Sequence, residues 1–186
     1  MSKLETNTID TISGTSNLTI GSTNSSTVTF ESGAATGHMY PAFQAKLSVS
    51  QNISDAVTTK VQFDTEIFDT DNAYDNSTNY RFTPQVAGKY FVFSFIEGDG
   101  TGTNKTERVQ LLIYKNGALD SLMQNFPNTA AESNNVGLAI NSVCDMNGST
   151  DYIEIFAYVD ALSVQATVIG AASHLRSTFG AYRIGS

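Results

Sequence analysis

The densest group of oxygen-bearing side chains lies within residues 64–76. In chain order its members are Asp64, Glu66, Asp69, Asp71, Asn72, Asp75 and Asn76. Carboxylate and amide oxygens are the ligands that Ca²⁺ takes in proteins, and Asp69, Asp71 and Asp75 are the candidate metal ligands. The segment lacks the alternation of acids and the glycine of a helix-loop-helix calcium site. We therefore expect a solvated loop and no cofactor, with calcium as the alternative.

Two further polar segments are candidates for ligand recognition, residues 97–104 and residues 125–135. Loops that a rigid scaffold positions often carry binding residues, and asparagine amides can hydrogen-bond to sugar hydroxyls. The candidate ligand-binding residues are Asp99, Thr101, Asn104, Asn125, Asn128, Asn134 and Asn135. Ordinary solvated turns are the alternative interpretation of both segments.

Catalytic chemistry has little support in the sequence. His38 and His174 are isolated, with no second histidine at metal-ligand spacing. No Gly-x-Ser-x-Gly elbow, phosphate-binding loop or paired-cysteine metal site is present. The single Cys144 follows an alternating apolar run, which predicts a buried strand thiol rather than a nucleophile. We expect a protein that is not an enzyme.

From residue 40 onward, the apolar residues follow the two-residue period of β-strands. Strands are predicted at residues 42–47 and 88–95, and residues 109–114 lead to Asn116-Gly117, a pair that favours a tight hairpin turn. Helical spacing is never sustained. The sequence therefore predicts an all-β fold of two packed antiparallel sheets.

Residues 152–159 alternate most clearly. Ile153, Ile155, Ala157 and Val159 fall on one face of this strand. The opposite face carries Tyr152, Glu154, Phe156 and Tyr158. A strand that is apolar or aromatic on both sides suggests a sandwich core on one side and a subunit contact on the other, so Tyr152, Phe156 and Tyr158 are the candidate trimer contacts.

The order of aromatic, acidic and glycine residues is distinctive. It runs Phe63, Asp69, Tyr74, Phe82, Gly88, Tyr90, followed by Leu112-Ile113-Tyr114-Lys115-Asn116-Gly117. This order resembles the globular head of complement component one, subcomponent q, a jelly-roll family related to tumour necrosis factor. Gly148 and Asp151 before Ile153-Glu154-Ile155, and residues 177–184 at the end, extend the resemblance over residues 41–186.

The chain departs from the family pattern in identifiable places. Val92 and Ser94 occupy positions that are usually aromatic, and Phe91, Phe93 and Phe95 are the neighbours expected to compensate. The spacing from Tyr74 to Phe82 is one residue longer than usual, and Ala181 replaces a glycine. The resemblance implies an antiparallel jelly-roll β-sandwich, a homotrimer, and heads that bind ligands through surface loops. Cyclic closure would also cover an outer face rich in tyrosine and phenylalanine.

Residues 1–37 differ in kind from residues 38–186, the expected globular head. They are rich in Thr, Ser and Asn, with spaced apolar residues that predict short strands needing a partner for order. A disordered polar linker is the alternative. No Gly-X-Y period, and hence no collagen stalk, is present. The segment resembles the leading segments of bacteriophage tail and fibre proteins, which implies a β-rich segment that attaches to other virion proteins.

The charge and composition of the chain limit the classes of binding partner. The formal net charge is −8 and no basic stripe occurs, which disfavours nucleic acid. No stretch is apolar enough to insert into a membrane, and the first residues do not form a secretory signal. We expect synthesis in a host cytoplasm and a location in the virion.

Three functional hypotheses follow from these observations. The first is a virion structural protein, a trimeric short fibre or adhesin whose jelly-roll head recognises a host surface glycan or protein. The second is a capsid decoration or cement protein. The third is a cellular ligand-binding head domain.

Overall fold

The computed structural model describes residues 40–100, 106–127, 135–162 and 165–185. These residues form strands and connections and include no helix. The strands are β1 (Ala42–Lys46), β2 (Gln51–Ser54), β3 (Thr59–Lys60), β4 (Thr65–Asp69), β5 (Tyr74–Asp75), β6 (Arg81–Phe82), β7 (Gly88–Asp99), β8 (Thr106–Lys115), β9 (Ala118–Asn125), β10 (Asn135–Met146), β11 (Ile153–Ala161), β12 (Gln165–Val168) and β13 (Thr178–Gly185). The predicted attachment segment, residues 1–37, lies outside the described residues, so its boundary with the head stays a prediction.

Two antiparallel sheets form a sandwich. Sheet I has the order β2-β12-β7-β13-β1-β4, and β10 lies along the other side of β7. Sheet II has the order β5-β6-β11-β8-β9, and β3 also pairs with β11. Every strand pair is antiparallel. The all-β prediction and the two packed antiparallel sheets are confirmed.

The core contains the aromatic residues whose order is distinctive in the sequence. Phe43 stacks on Tyr74 and Phe82, with ring centroids 4.7 and 4.5 Å apart, and meets Phe179 edge-on at 4.8 Å. Phe63 and Tyr90 are also fully or almost fully removed from solvent. Burial of each such side chain contributes roughly 1.5–3 kcal/mol, so this cluster contributes a large part of the stability of the sandwich.

Strand β11 supplies the opposite wall of the core. Ile153, Ile155, Ala157 and Val159 are each 0% exposed, while the intervening side chains point away from the core. The predicted alternation of this strand is confirmed. The tight turn after β8 is confirmed as well, because Asn116 and Gly117 have φ angles of 53° and 76°. Both angles are positive, as a type I′ hairpin turn requires.

The structure of strand β7 differs from two predictions made from the sequence. Val92 and Ser94 face the core, and Phe91, Phe93 and Phe95 lie on the outward side, so these phenylalanines do not compensate in the core. The two-residue period of the strand fixes this arrangement, and the buried Ser94 hydroxyl donates to the Thr178 carbonyl at 2.8 Å. The three phenylalanines form a row of aromatic rings on the outward side of sheet I.

The second correction concerns the end of β7. Residues 97–99 belong to the predicted polar connector of residues 97–104, but they continue the strand to Asp99 and pair with β10. Gly98 faces the core there, where a Cβ would lie 3.0 Å from Val159 and 3.1 Å from Val109. A glycine that reads as a loop residue in the sequence thus permits close packing within a strand.

Candidate interaction surfaces

The outward side of sheet I carries the aromatic face, defined by Phe91, Phe93, Phe95 and Tyr182. The rings of Phe91 and Tyr182 are 5.4 Å apart, and those of Phe91 and Phe93 are 6.3 Å apart. Phe93 lies over Gly180, where an added Cβ would collide with its ring. Phe95, which is 39% exposed, lies against Gly137 on the neighbouring strand. The two glycines leave room for the rings of Phe93 and Phe95 to lie against the sheet.

Charged pairs border the aromatic face at both ends. Lys89 and Asp145 form an ion pair at 2.6 Å at one end, and Arg176 donates through Nε to Glu97 at 2.7 Å at the other. Asn135 Nδ2 also donates to Glu97, at 2.7 Å. Burial raises the pKa of Glu97, but these hydrogen bonds outweigh it and hold the pKa below its usual value. An apolar centre with a polar rim is the anatomy of a subunit interface.

The outward side of sheet II carries Tyr152, Phe156 and Tyr158, the residues predicted as trimer contacts. The guanidinium of Arg81 lies 4.5 Å from the centre of the Tyr152 ring, and that of Arg108 lies 4.5 Å from the Tyr158 ring. Lys60 lies 5.8 Å from the Phe156 ring. We call this surface the cation-covered face, because each of the three rings has a cation of its own chain beside it.

Two of these cations also form ion pairs on this face. Lys60 pairs with the almost fully buried Glu154, and Arg108 pairs with Asp160 at 3.3 Å. Phe156 also packs on Tyr114, with centroids 4.4 Å apart. The rings of the cation-covered face therefore have partners within one chain. On the aromatic face, in contrast, no cation lies over any of the four rings among the residues that the structure describes.

The candidate ligand-binding residues meet at one end of the sandwich, as far as they are described. Asp99 ends β7 and lies opposite Asn135, the first residue of β10. Asn125 ends β9, which pairs with the beginning of β8. The other four candidates, Thr101, Asn104, Asn128 and Asn134, lie outside the described residues. Their role in binding stays a prediction.

The candidate metal ligands do not converge. Asp69 accepts hydrogen bonds from the backbone amides of Asp71, at 3.2 Å, and Tyr74, at 2.8 Å. Asp75 accepts from the amides of the following turn, and these bonds hold its pKa well below the usual value. Among the described residues, no three acidic, histidine or cysteine side chains are placed to hold a metal ion. Asp69 and Asp75 shape turns, and the role of Asp69, Asp71 and Asp75 as calcium ligands stays a prediction.

Two remaining expectations concern reactive and membrane-spanning elements. Cys144 is 3% exposed in β10, and burial raises the pKa of its thiol to about 11, so the prediction of a buried strand thiol is confirmed. The described residues include no helix with the length and apolar content to span a membrane.

Comparisons with known proteins show what this architecture resembles. No protein-family model and no curated protein sequence matches the chain. Among solved structures, Eiger TNF from S. frugiperda superposes with a TM-score of 0.55 at 6% identity, over 80% of this chain and 95% of that one. The fold is a tumour-necrosis-factor-like jelly roll. The jelly-roll prediction is therefore confirmed.

Two further structures share this jelly roll. Murine APRIL gives a TM-score of 0.55 at 10% identity, over 77% of this chain and 99% of that one. Vertex protein P5 of PRD1 gives 0.52 at 12% identity, over 80% of this chain and all of that one. At such identities the likeness concerns the fold alone.

Proposed function

We propose that this chain is a virion structural protein that forms a homotrimer and presents its jelly-roll head as a short fibre or adhesin. The observation that carries this proposal is the uncovered aromatic face, on a fold that the PRD1 vertex protein P5 also adopts. The resemblance of residues 1–37 to phage attachment segments supports the same location. Capsid decoration is the second candidate, because a trimeric clamp would use the same face.

A partner on the aromatic face follows from its composition. Soluble monomers rarely expose large contiguous apolar patches, and this face adds Phe68 and Val143, 47% and 54% exposed, to its four rings. Covering such a surface is a main source of affinity between subunits, with aromatic residues as the anchors. We assign the aromatic face, rather than the cation-covered face, as the trimer contact.

A ring of three chains needs a second surface that meets the aromatic face. Edge strand β9 offers one, since its side chains Leu122 and Met123 are 42% and 46% exposed. Two different patches on one molecule make a head-to-tail contact, which closes into a ring when the rotation allows it. The family that the sequence resembles typically closes as a trimer.

The first experiment measures the oligomeric state. Static light scattering of the purified full-length protein should give three times the chain mass of 20.0 kDa. A stable monomer at micromolar concentration would overturn the trimer. Deletion of residues 1–37 should leave the head trimeric and abolish incorporation into particles, whereas a truncated protein that still incorporates would show that the head itself docks.

The second experiment separates adhesin from decoration protein. Whole particles that carry alanine at Asp99, Asn125 and Asn135 should lose host adsorption but stay intact if the head is an adhesin. Even millimolar sugar contacts would suffice there, because several heads bind at once. Normal adsorption with reduced resistance to heat or osmotic shock favours decoration.

The third hypothesis is a cellular ligand-binding head, and the likeness to Eiger and APRIL supports it. Purified virions that lack the protein, together with detection of the protein elsewhere, would favour this hypothesis.

A further inference from the structure

A polar hollow of about 600 Å³ opens beside β5 and β6, next to the part of the cation-covered face where Arg81 lies over Tyr152. Its lining includes Glu66, Asn72, Asp75, Asn76 and Arg81. Small-molecule sites in proteins typically enclose roughly 300–1,000 Å³, so this hollow is large enough for a ligand of one or two sugar rings. None of the candidate ligand-binding residues identified from the sequence lies in it.

The turn after β5 forms a preorganised wall of this hollow. One oxygen of Asp75 accepts from the amides of Ser77, at 3.1 Å, and Thr78, at 2.9 Å. The other accepts from the Asn79 amide at 3.0 Å and from its Nδ2 at 2.7 Å. The carboxylate of Asp75 is thereby occupied in holding the turn. Rigid walls reduce the entropy lost on binding.

Other polar groups of the lining remain available. The side chains of Glu66, Asn72 and Asn76 form no hydrogen bond or ion pair with any residue in the described part of the chain. The guanidinium of Arg81 is held over the Tyr152 ring at 4.5 Å, and among the described residues it also lacks a hydrogen-bonding partner. These four residues thus supply one fixed donor group, one acceptor group and two amides that both donate and accept.

The lining carries charges of both signs, since Glu66 and Asp75 are acidic and Arg81 is basic. A charged ligand would meet a like charge as well as an opposite one, whereas the hydroxyl groups of a neutral ligand can donate to Glu66 and accept from Arg81. Hydroxyl groups donate and accept, as the asparagine amides require. We propose that the hollow beside β5 binds a neutral polyhydroxylated molecule, that is, a saccharide unit. The proposal goes beyond the proposed function and needs neither the trimer nor the virion, because a single chain builds the whole hollow.

Amide chemical shifts of the ¹⁵N-labelled full-length protein test this site. The probes are methyl α-glucopyranoside, methyl β-galactopyranoside, N-acetylglucosamine and, separately, calcium chloride. We expect at least one sugar to give saturable shifts confined to residues 66–85 and the adjoining Tyr152. Because few apolar groups line the hollow, we expect millimolar dissociation constants.

Matched variants identify the contacts. Asn76→Ala and Glu66→Gln should weaken the sugar at least about tenfold, the loss expected when one or two hydrogen bonds disappear. The control Asn52→Ala, in a separate hollow on β2, should bind like the unchanged protein. Dispersed spectra will show that each variant is folded.

Three outcomes would overturn the proposal. One is the absence of saturable shifts with every sugar up to about 100 mM, a concentration at which millimolar sites are filled. Another is shifts that Asn76→Ala and Glu66→Gln leave unchanged. The third is a response to calcium chloride alone, which would favour a metal site. None of these results bears on light scattering, so failure of this site is distinguishable from failure of the trimer.

Discussion

The two outward faces of the sandwich both carry aromatic rings, but they differ in what covers those rings. On sheet II, Arg81, Lys60 and Arg108 lie beside the rings of Tyr152, Phe156 and Tyr158. On sheet I, Phe91 lies beside Phe93 and Tyr182, while Phe93 and Phe95 lie against Gly180 and Gly137. Aromatic content alone therefore does not identify a subunit contact. We propose that the subunit contact forms where the chain supplies no cation for the rings.

Substitution of an inward-facing side chain should give the largest loss of stability, and substitution of its outward-facing neighbour should give a much smaller one. Ile155 is fully buried in β11, and its neighbour Phe156 points outward. Ile155→Asp buries an unpaired charge at a cost of several kcal/mol, comparable with the roughly 5–15 kcal/mol that stabilises a domain, and should prevent folding. Circular dichroism and urea unfolding check this, with Phe156→Ala as the folded control. An Ile155→Asp variant with unchanged melting temperature would place the residue outside the core.

Truncation of the rings should next distinguish the two faces. We expect the pair Phe91→Ala and Phe95→Ala to dissociate the trimer, because anchor residues at interfaces each contribute about 2 kcal/mol or more. The matched pair Phe156→Ala and Tyr158→Ala on sheet II should leave the trimer intact. Light scattering over a concentration series measures the oligomeric state of both double variants. Dissociation by the sheet II pair alone would restore the contact predicted from the sequence.

Removal of a covering cation should destabilise the chain without dissociating it. Lys60→Met leaves the carboxylate of Glu154, which is 6% exposed, without its ion-pair partner. The expected loss is about 1–3 kcal/mol, below that of a fully buried pair because Lys60 is one-third exposed. The midpoint of urea unfolding measures it, and Lys60→Met combined with Glu154→Gln should recover part of it. No loss in the single variant would show that the pair is solvated.

The smallest expected effect is the loss of stability at low pH from the ion pair between Glu97 and Arg176, at the rim of the aromatic face. The pKa of Glu97 lies below its usual value, so its pairing with Arg176 stabilises the fold above the usual pKa of glutamate and is lost as the pH falls through the folded-state value. We expect the melting temperature of Arg176→Gln to lie slightly below that of the unchanged protein at neutral pH. The gap should narrow as the pH falls below the usual pKa of glutamate and the carboxylate takes up a proton. A gap that is independent of pH would refute this assignment.

Local patterns in the sequence were sufficient for much of the fold. The alternation in β11 and the Asn116-Gly117 turn depend on neighbouring residues, and the structure confirms both. Local patterns are less informative where a distant element contributes. The cation that covers Tyr158 comes from β8, and the one that covers Phe156 comes from β3, and neither is visible in the pattern of β11 alone. The role of Tyr152, Phe156 and Tyr158 as trimer contacts stays a prediction.

The polar segment of residues 64–76 shows the same limit at the candidate site. Its composition suggested calcium, but Asp69 and Asp75 point to backbone amides of their own turns. Asn72 and Asn76 instead line a hollow together with Arg81, which follows them in the sequence. The sequence signal for this hollow was Arg81, a few residues after the amide-rich segment. The position of Arg81 over the Tyr152 ring, however, depends on the pairing of β6 with β11.

The strand order also affects how fast this chain reaches its native state. Among the strands that the structure describes, only β5–β6 and β8–β9 pair elements that follow one another in the chain, whereas β1 pairs with β13 near the end of the sequence. Folding rates fall as such distant pairings dominate, and comparable sandwiches need milliseconds to seconds. During that interval the phenylalanines of β7 are exposed before either neighbouring strand or subunit has arrived. Partly folded chains then collide through the same rings, so the yield of native protein should fall as the concentration of newly made chains rises.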